Sequence, residues 1–264
     1  MSTAPPTQML GAGPRPEPSE QPRRRSLGRY LFMPITLGLV LLALYVYVAG
    51  QELDSIEARS LNMARLSTAI WQHVQLAAVS TVVTLLIAIP LGVVLTRPFT
   101  RRVRPYVIAV LTVLQAVPTI AILVLLAVAF LFLGFPAAIV GLVLYAIVPV
   151  LLNTMVGIEQ VDDSVLEAGR GMGMSRLTVL RKIELPLSIP VMLAGIRTAL
   201  VINVGTATLV TYINAGGLGD IIVAGLSTNR FTIQLVGAVL TAVLALTIDY
   251  LAGIAEAVLR PRGL

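Results

Sequence analysis

The sequence predicts an all-α membrane protein with about six transmembrane helices. Two observations carry this. Hydrophobic residues make up 57% of the 264 positions and charged residues only 12%, too little polar surface for a soluble domain of this length. The apolar residues also fall in blocks of about 20 or more, the length a helix needs to cross a hydrocarbon core. These blocks are too long for strands and lack the alternation of a membrane barrel.

The elements follow in chain order. Residues 1–29 read as a disordered, basic tail: Pro, Gly, Ser and Gln dominate 1–22, and Arg23, Arg24, Arg25 and Arg29 follow. The first apolar block is 31–49. A basic start before an apolar block resembles a signal peptide. This block is long, however, and no small-residue cleavage site follows it, so it is expected to be a retained helix. With residues 30–264 as one transmembrane domain, the remaining spans are expected at about 72–96, 106–133, 136–157, 190–212 and 232–258. Pro90, Pro118 and Pro149 lie well inside three of them. Each frees a carbonyl and tends to kink its helix, which neighbouring helices in a bundle can satisfy. Such bends either shape the bundle or open a path through it.

Orientation follows from the basic residues. With the amino terminus in the cytoplasm, fifteen of the nineteen Lys and Arg residues fall inside: five in the tail, Arg97, Arg101, Arg102 and Arg104 in one loop, Arg170, Arg176, Arg181 and Lys182 in another, and Arg260 and Arg262 at the end. Arg59, Arg65 and Arg230 fall outside, and Arg197 lies in the fifth span. This excess places both termini in the cytoplasm by the positive-inside rule. It accounts for the net charge of +6 without nucleic acid as a partner. With no cysteine and a single histidine, His73, thiolate metal sites, disulfides and a catalytic histidine pair are excluded within one chain. His73 is expected near the outer interface as a hydrated or interfacial residue and not as a ligand.

The longest cytoplasmic segment, 158–189, reads IEQVDDSVLEAGRGMGMSRLTVLRKIELPLSI. Asp162, Asp163 or Ser164 can cap a short helix. Gly169, Gly171 and Gly173 then interrupt it. Ser175 can cap a second helix with Leu177, Leu180 and Ile183 on one face, and Pro186 and Pro190 lead into the fifth span. The spacing predicts a helix, a glycine turn and a second helix.

Here the sequence resembles the permease subunits of binding-protein-dependent ATP-binding cassette (ABC) importers. Their signature is Glu-Ala-Ala, three residues, Gly, nine residues, Ile, one residue, Leu-Pro. Glu167, Ala168, Gly169, Gly173, Ile183, Leu185 and Pro186 stand at those positions, with Gly169 replacing the third small residue. Six identical positions at average residue frequencies arise by chance about once per million starting points. The resemblance implies the type I importer permease fold, with this segment docking into a groove on a separate ATPase. No phosphate-binding loop is present, because Lys182 is the only lysine and Arg181 precedes it. The chain is therefore expected to hold no cofactor, and the resemblance implies that ATP and Mg bind on the partner ATPase.

From Ser67 to about Glu256 the chain resembles the osmoprotectant branch of that family, which imports glycine betaine, choline, carnitine and related quaternary amines. The residues carrying this are Ile89-Pro90-Leu91-Gly92-Val93, Gln115-Ala116-Val117-Pro118-Thr119, Leu144-Tyr145-Ala146, Arg170–Met174, Gly195–Ala199, Asn203–Leu209 and Gly216–Gly219. Methionine permeases share the general layout. In the fifth span Asn203, Thr206, Thr208 and Thr211 offer neutral polar groups, either for bonding between helices or as weak contacts lining a translocation path. Aromatic residues do not cluster into a cage for a quaternary ammonium. Trp71 and Tyr30 sit at span ends, where interface anchoring is the default. Recognition is therefore expected on an external solute-binding protein. Ala215–Asp220, with Gly216, Gly217 and Gly219, is expected to be an exposed outer loop: a docking surface, an outer gate or a plain turn. Asp249 lies inside the sixth span and is expected either to couple to protons or to pair with a backbone or hydroxyl donor. Glu256, near the cytoplasmic end, needs no special role.

The resemblance thus implies a multi-pass inner-membrane permease without its own ATPase site. It works with two ATPase subunits, a second permease copy or relative, and a periplasmic or extracellular binding protein. Two other transport readings stand beside it: an ABC permease for methionine or another amino acid, and an ion-coupled secondary transporter. A membrane enzyme is poorly supported, since no nucleophile–base or metal cluster is evident.

Overall fold

A computed structural model describes residues 27–259, and side-chain surroundings from residue 31 onward. The expectations for residues 1–26 of the tail, the Tyr30 side chain, Arg260 and Arg262 lie outside what is described, while residues 27–29, expected in the tail, begin the first helix. Among the described residues every regular element is a helix and none is a strand. Helix α1 spans Leu27–Ala49, α2 Ser55–Ser60, α3 Met63–Leu95, α4 Arg104–Ala116, α5 Thr119–Phe130 and α6 Gly134–Glu159. Then come α7 (Asp163–Gly171), α8 (Arg176–Val179), a π turn (Leu180–Glu184), α9 (Leu185–Thr206), a 3-10 turn (Leu209–Ile213), α10 (Leu218–Ser227) and α11 (Phe231–Leu259).

Five of these elements are long and apolar enough to cross a bilayer, and α4 with α5 makes a sixth crossing if the bent pair is one span. That pair corrects the expected continuous helix over 106–133: it breaks at Val117-Pro118 and bends by 89°. Val117 is extended (φ −72°, ψ 129°), the conformation that a following proline imposes. Pro90 and Pro149, by contrast, stay inside unbroken helices. Proline at 149 removes the donor that would have met the Tyr145 carbonyl, and Gln115 Nε2 of α4 donates to that carbonyl at 3.4 Å. A neighbouring helix thus compensates the missing bond.

The fifth span also differs from its expected 190–212. Helicity ends at Thr206, and at its other end runs back without interruption through the π turn to Arg176, a 31-residue rod about 46 Å long. Helix α10 lies in a stretch expected to be loop. At ten residues it is too short to span, but it buries Leu218 and Ile221 against Ala69 of α3 and Ile233 of α11.

Helix α6 is the centre of the bundle. Over half of its apolar window is buried, against 6% for α1, which packs at the edge on α11. Small residues let backbones approach where α6 crosses its neighbours. A side chain at Gly195 of α9 would stand 2.8 Å from the Pro149 carbonyl oxygen, and one at Gly92 of α3 would meet Thr154 at 2.8 Å. Large apolar residues such as Leu86, Val113 and Val128 point outward, as lipid-facing helices require.

At one end of the bundle, called here the elbow end, Arg104 of α4 forms an ion pair with Glu159 at the end of α6. At the opposite end Asp54 caps α2 in a reciprocal box with Glu57 and pairs with Arg230 at 2.7 Å, tying the α1–α3 connection to the start of α11.

These contacts predict opposite outcomes for two glycines of α9. Gly195→Val forces overlap with backbone and is expected to destabilise by about 1–3 kcal/mol. Gly205, with no atom within 4 Å of its missing side chain, is expected to gain up to about 1 kcal/mol on substitution by Ala. Thermal melting in one detergent checks both. A Gly195→Val protein as stable as the parent contradicts the packing.

Candidate functional site: the elbow and the opposite end

Helix α7 starts at Asp162, the one of the three candidate caps that is used: its Oδ1 accepts from the Ser164 N–H at 2.8 Å. The Ser164 side-chain and backbone donors hold the Asp162 carboxyl below the usual carboxylate range. The helix ends in a glycine stop. Gly173 takes φ +81°, its N–H donates to the Arg170 carbonyl at 2.9 Å, and the Met174 N–H donates to the Gly169 carbonyl at 3.2 Å. This pair of bonds is a Schellman closure, which favours glycine at the left-handed position. Ser175 caps α8 by accepting from the Thr178 N–H at 3.3 Å.

The two arms fold onto each other through the residues of the sequence signature. Gly169 is buried, and a side chain there would stand 2.6 Å from Ile183 Cδ1. Ile183 thus occupies the space that a side chain at 169 would take. Glu167 and Ala168 lie exposed on the outer side of α7, with Arg170 and Met172 beside them. Leu185 and Pro186 open α9, partly buried, where the rod enters the bundle. The seven signature residues therefore form one closed elbow: an exposed face on α7, a packed hinge at Gly169 and Ile183, and a rod continuing into the bundle.

A further residue of the elbow carries a bond that sequence spacing did not reveal. Glu184, in the π turn, keeps only 6% of its side chain exposed and is met by Arg97 just beyond α3. Arg97 Nη1 donates to Oε1 at 3.3 Å and Nη2 to Oε2. Eighty-seven residues separate the partners.

The four polar candidates of the fifth span do different things. Asn203 is fully buried; its Nδ2 donates to Thr81 Oγ1 of α3 at 3.0 Å, and its Oδ1 has no partner among the described residues. In this conformation Asn203 bonds helix to helix. Thr206 and Thr208 return their hydroxyls to carbonyls of α9, those of Ile202 and Gly205. Thr211 donates to Asp220.

Three expectations about single residues are corrected. Ala215–Asp220 is not an exposed loop, because Gly217, Leu218 and Gly219 are buried. Gly216 and Gly217 have φ +82° and +100° and lie against Gln72 and His73, while a side chain at Gly219 would meet the Thr208 carbonyl oxygen at 2.1 Å. His73 is not hydrated but wholly buried. One ring nitrogen, Nε2, lies 2.9 Å from the Val204 carbonyl, freed at the end of α9, and Nδ1 accepts from the Leu218 N–H at 3.2 Å. Together these specify a neutral ring with its proton on Nε2. Gln72 accepts from the Gly217 N–H at 3.1 Å. Consecutive residues of α3 thus cap α10, whose own N-cap is a glycine. Finally, Asp249 pairs with Arg197 rather than with a backbone or hydroxyl donor: Nε to Oδ1 at 2.6 Å and Nη2 to Oδ2 at 2.8 Å. Glu256 lies 3.7 Å from Nη1, so it belongs to this α9–α11 cluster.

Residues 88–262 match the family described as binding-protein-dependent transport system inner membrane component. The carnitine transport permease protein OpuCD of Listeria monocytogenes is 43% identical over 192 residues, 72% of this chain and 85% of that protein. The glycine betaine/carnitine/choline transport system permease protein OpuCD of Bacillus subtilis is 40% identical over 192 residues, 72% of this chain and 82% of that one. Among solved structures, an inward-facing form of the MetNI methionine ABC transporter superposes with a TM-score of 0.67 at 25% identity, over 75% of this chain and 97% of the other.

Two substitutions separate the roles of the elbow glycines. Gly173→Ala forces a side chain into the left-handed region and is expected to cost about 1–2 kcal/mol. Gly169→Ala meets only the flexible tip of Ile183 and is expected to change stability by less than about 1 kcal/mol, since helix propensity offsets the crowding. At the opposite end, His73→Ala strips partners from two buried backbone groups, at about 1–3 kcal/mol each. Melting curves check all three, and a His73→Ala protein of unchanged stability contradicts the cap.

Proposed function

The chain belongs to the binding-protein-dependent transport system inner membrane components, and from that premise we propose that it is the permease subunit of an ABC importer for quaternary ammonium osmoprotectants such as glycine betaine, carnitine or choline. The observation that carries the solute class is the likeness, at about two-fifths identity, to permeases named for those solutes. Methionine is named in structural neighbours of lower identity, about 25%.

In this reading the elbow end faces the cytoplasm, where the loop arginines collect, and both termini lie on that side of the inner membrane. The exposed face of α7 around Glu167 and Ala168 docks into a groove on a separate ATPase, which binds ATP and Mg. Two permease subunits face each other across the path, and an external binding protein delivers solute to the opposite end. Closure of the ATPase pair moves the two elbows together. Because each elbow is closed on itself by Gly169 and Ile183 and continues into a 46 Å rod, the movement tilts the fifth span instead of dissipating in a loop. The chain contributes no catalysis of its own.

Asn203 holds α9 to α3 beside the path, while Thr206, Thr208 and Thr211 present weak polar contacts along it. Gly216, Gly217 and Gly219 form the outer gate, a turn held shut by Gln72 and His73. The intramembrane carboxylate Asp249 is matched by Arg197, so it has no need to exchange protons.

Uptake in proteoliposomes holding this chain, its ATPase and its binding protein tests the reading. Accumulation of labelled glycine betaine is expected to require ATP, to persist with an ionophore, and to be competed by carnitine or choline but not by methionine. Collapse on adding the ionophore supports an ion-coupled transporter, and competition by methionine alone supports the amino-acid permease. Glu167→Trp, a bulky group on the docking face, is expected to cut ATPase retention and uptake by at least about ten-fold, equivalent to about 1.4 kcal/mol.

A further inference from the structure

We infer that the Arg97–Glu184 pair is a strut that carries movement of the elbow into α3 as well as α9, which makes Arg97 a positioning residue for transport. The inference rests on the reading of the elbow as the ATPase handle. It begins from the one place where the rod is irregular. Over Leu180–Glu184 the helix is wound as a π turn, with the Leu185 N–H bonded to the Leu180 carbonyl. Such single wide turns tend to mark functional sites in otherwise regular helices. This one lies between the elbow hinge and the bundle, where a push arriving through Ile183 would be lost most easily.

Glu184 sits in that turn with its carboxylate almost fully covered. It occupies the unconstrained position between Ile183 and Leu185 of the signature, so the family pattern does not account for it. A buried carboxylate demands a partner, and the one it has comes from another span. The Arg97 guanidinium is itself fixed: Nε lies 3.2 Å from both the Val93 carbonyl and Thr96 Oγ1, leaving the two terminal nitrogens to grip the carboxylate. A planar fork held at its root and bidentate at its tip fixes direction as well as distance. Both ends of the bond are therefore immobilised, one on α3 and one on the π turn, and the irregular turn cannot rewind without breaking it. The second ion pair at this end, Arg104–Glu159, has both side chains at least one-third exposed. It joins α4 to the end of α6, and so provides a comparison at the same end of the bundle.

The test uses the full complex of this chain with its ATPase and solute-binding protein. It reads the ATP hydrolysed per glycine betaine taken up, together with the amount of ATPase that co-purifies. For Arg97→Gln the ATPase is expected to stay bound while the ratio rises about ten-fold, within the range by which residues between two sites modulate coupling. Arg104→Gln is expected to stay within about two-fold, and the exchange Arg97→Glu with Glu184→Arg to return the ratio to within about two-fold of the parent. A wild-type ratio in Arg97→Gln, or loss of the ATPase from that variant alone, overturns the strut: the pair is then inert or part of the docking surface. Should Arg97→Gln not accumulate as folded protein, Arg97→Lys keeps the charge without the fork. An unchanged ratio there overturns the proposal, and a rise of about three-fold supports it. If the wild-type chain itself retains no ATPase, it is the handle reading that fails, a result separate from any of these.

Discussion

The seating of Ile183 on Gly169 is the contact on which the rest of the elbow depends. Without it, α7 and the start of the long rod are two short helices joined by a glycine turn, and short helices in isolation are marginal. With it, the exposed face at Glu167 and Ala168 has a fixed position relative to α9, and through α9 to the whole bundle. The contact is tightest because residue 169 has no side chain, and an alanine there would displace only the flexible tip of Ile183. The Schellman closure at Gly173 sets the angle between the arms, and the Arg97–Glu184 pair fixes the rod at the point where its winding changes.

Two ends of one molecule solve the same problem with different chemistry. At the elbow end ionic side chains join helices: Arg97 with Glu184 and Arg104 with Glu159. At the opposite end the Asp54–Arg230 pair ties α2 to the start of α11, and glycines let α10 lie directly on α3 while Gln72 and His73 satisfy its leading N–H groups. The first arrangement fixes the base of the elbow against α3 and the end of α6 against α4. The second places neutral, short-range bonds at a turn with two left-handed glycines, a joint that can open without separating charges in a region of low dielectric.

Much of this was legible in the sequence, and the reasons for the rest are physical. Apolar block length located the long apolar helices among the described residues, because the thickness of the hydrocarbon core sets that length, but not the break within 106–133 or the ends of the 190–212 block. The elbow was partly legible because caps and glycine stops are local signals: Ser175 and Gly173 do what their types suggest, whereas Gly169 and Gly171, expected to interrupt α7, lie within it. The break at Pro118 was not legible, since Pro90 and Pro149 look the same in sequence. The difference is packing: Pro149 sits among buried neighbours from Ala146 to Leu151, whereas α4 buries none of its residues, so nothing holds the chain straight before Pro118. The ion pairs were invisible for another reason, since their partners lie 52, 55 and 87 residues apart. His73 was misplaced because a lone histidine near a span end gives no hint of a glycine turn 145 residues away.

The claim that the elbow and the fifth span move as one rigid piece is open to a direct distance measurement. The chain has no cysteine, so spin labels can be placed at two exposed positions, Ser164 on α7 and Thr198 on α9, and their separation read by pulsed electron resonance in the assembled transporter with and without trapped ATP. The account predicts a separation that changes by no more than about 2 Å, the scale of a small helix shift. A change of about 5 Å, one full helical turn, would show the elbow sliding against the rod and would contradict it.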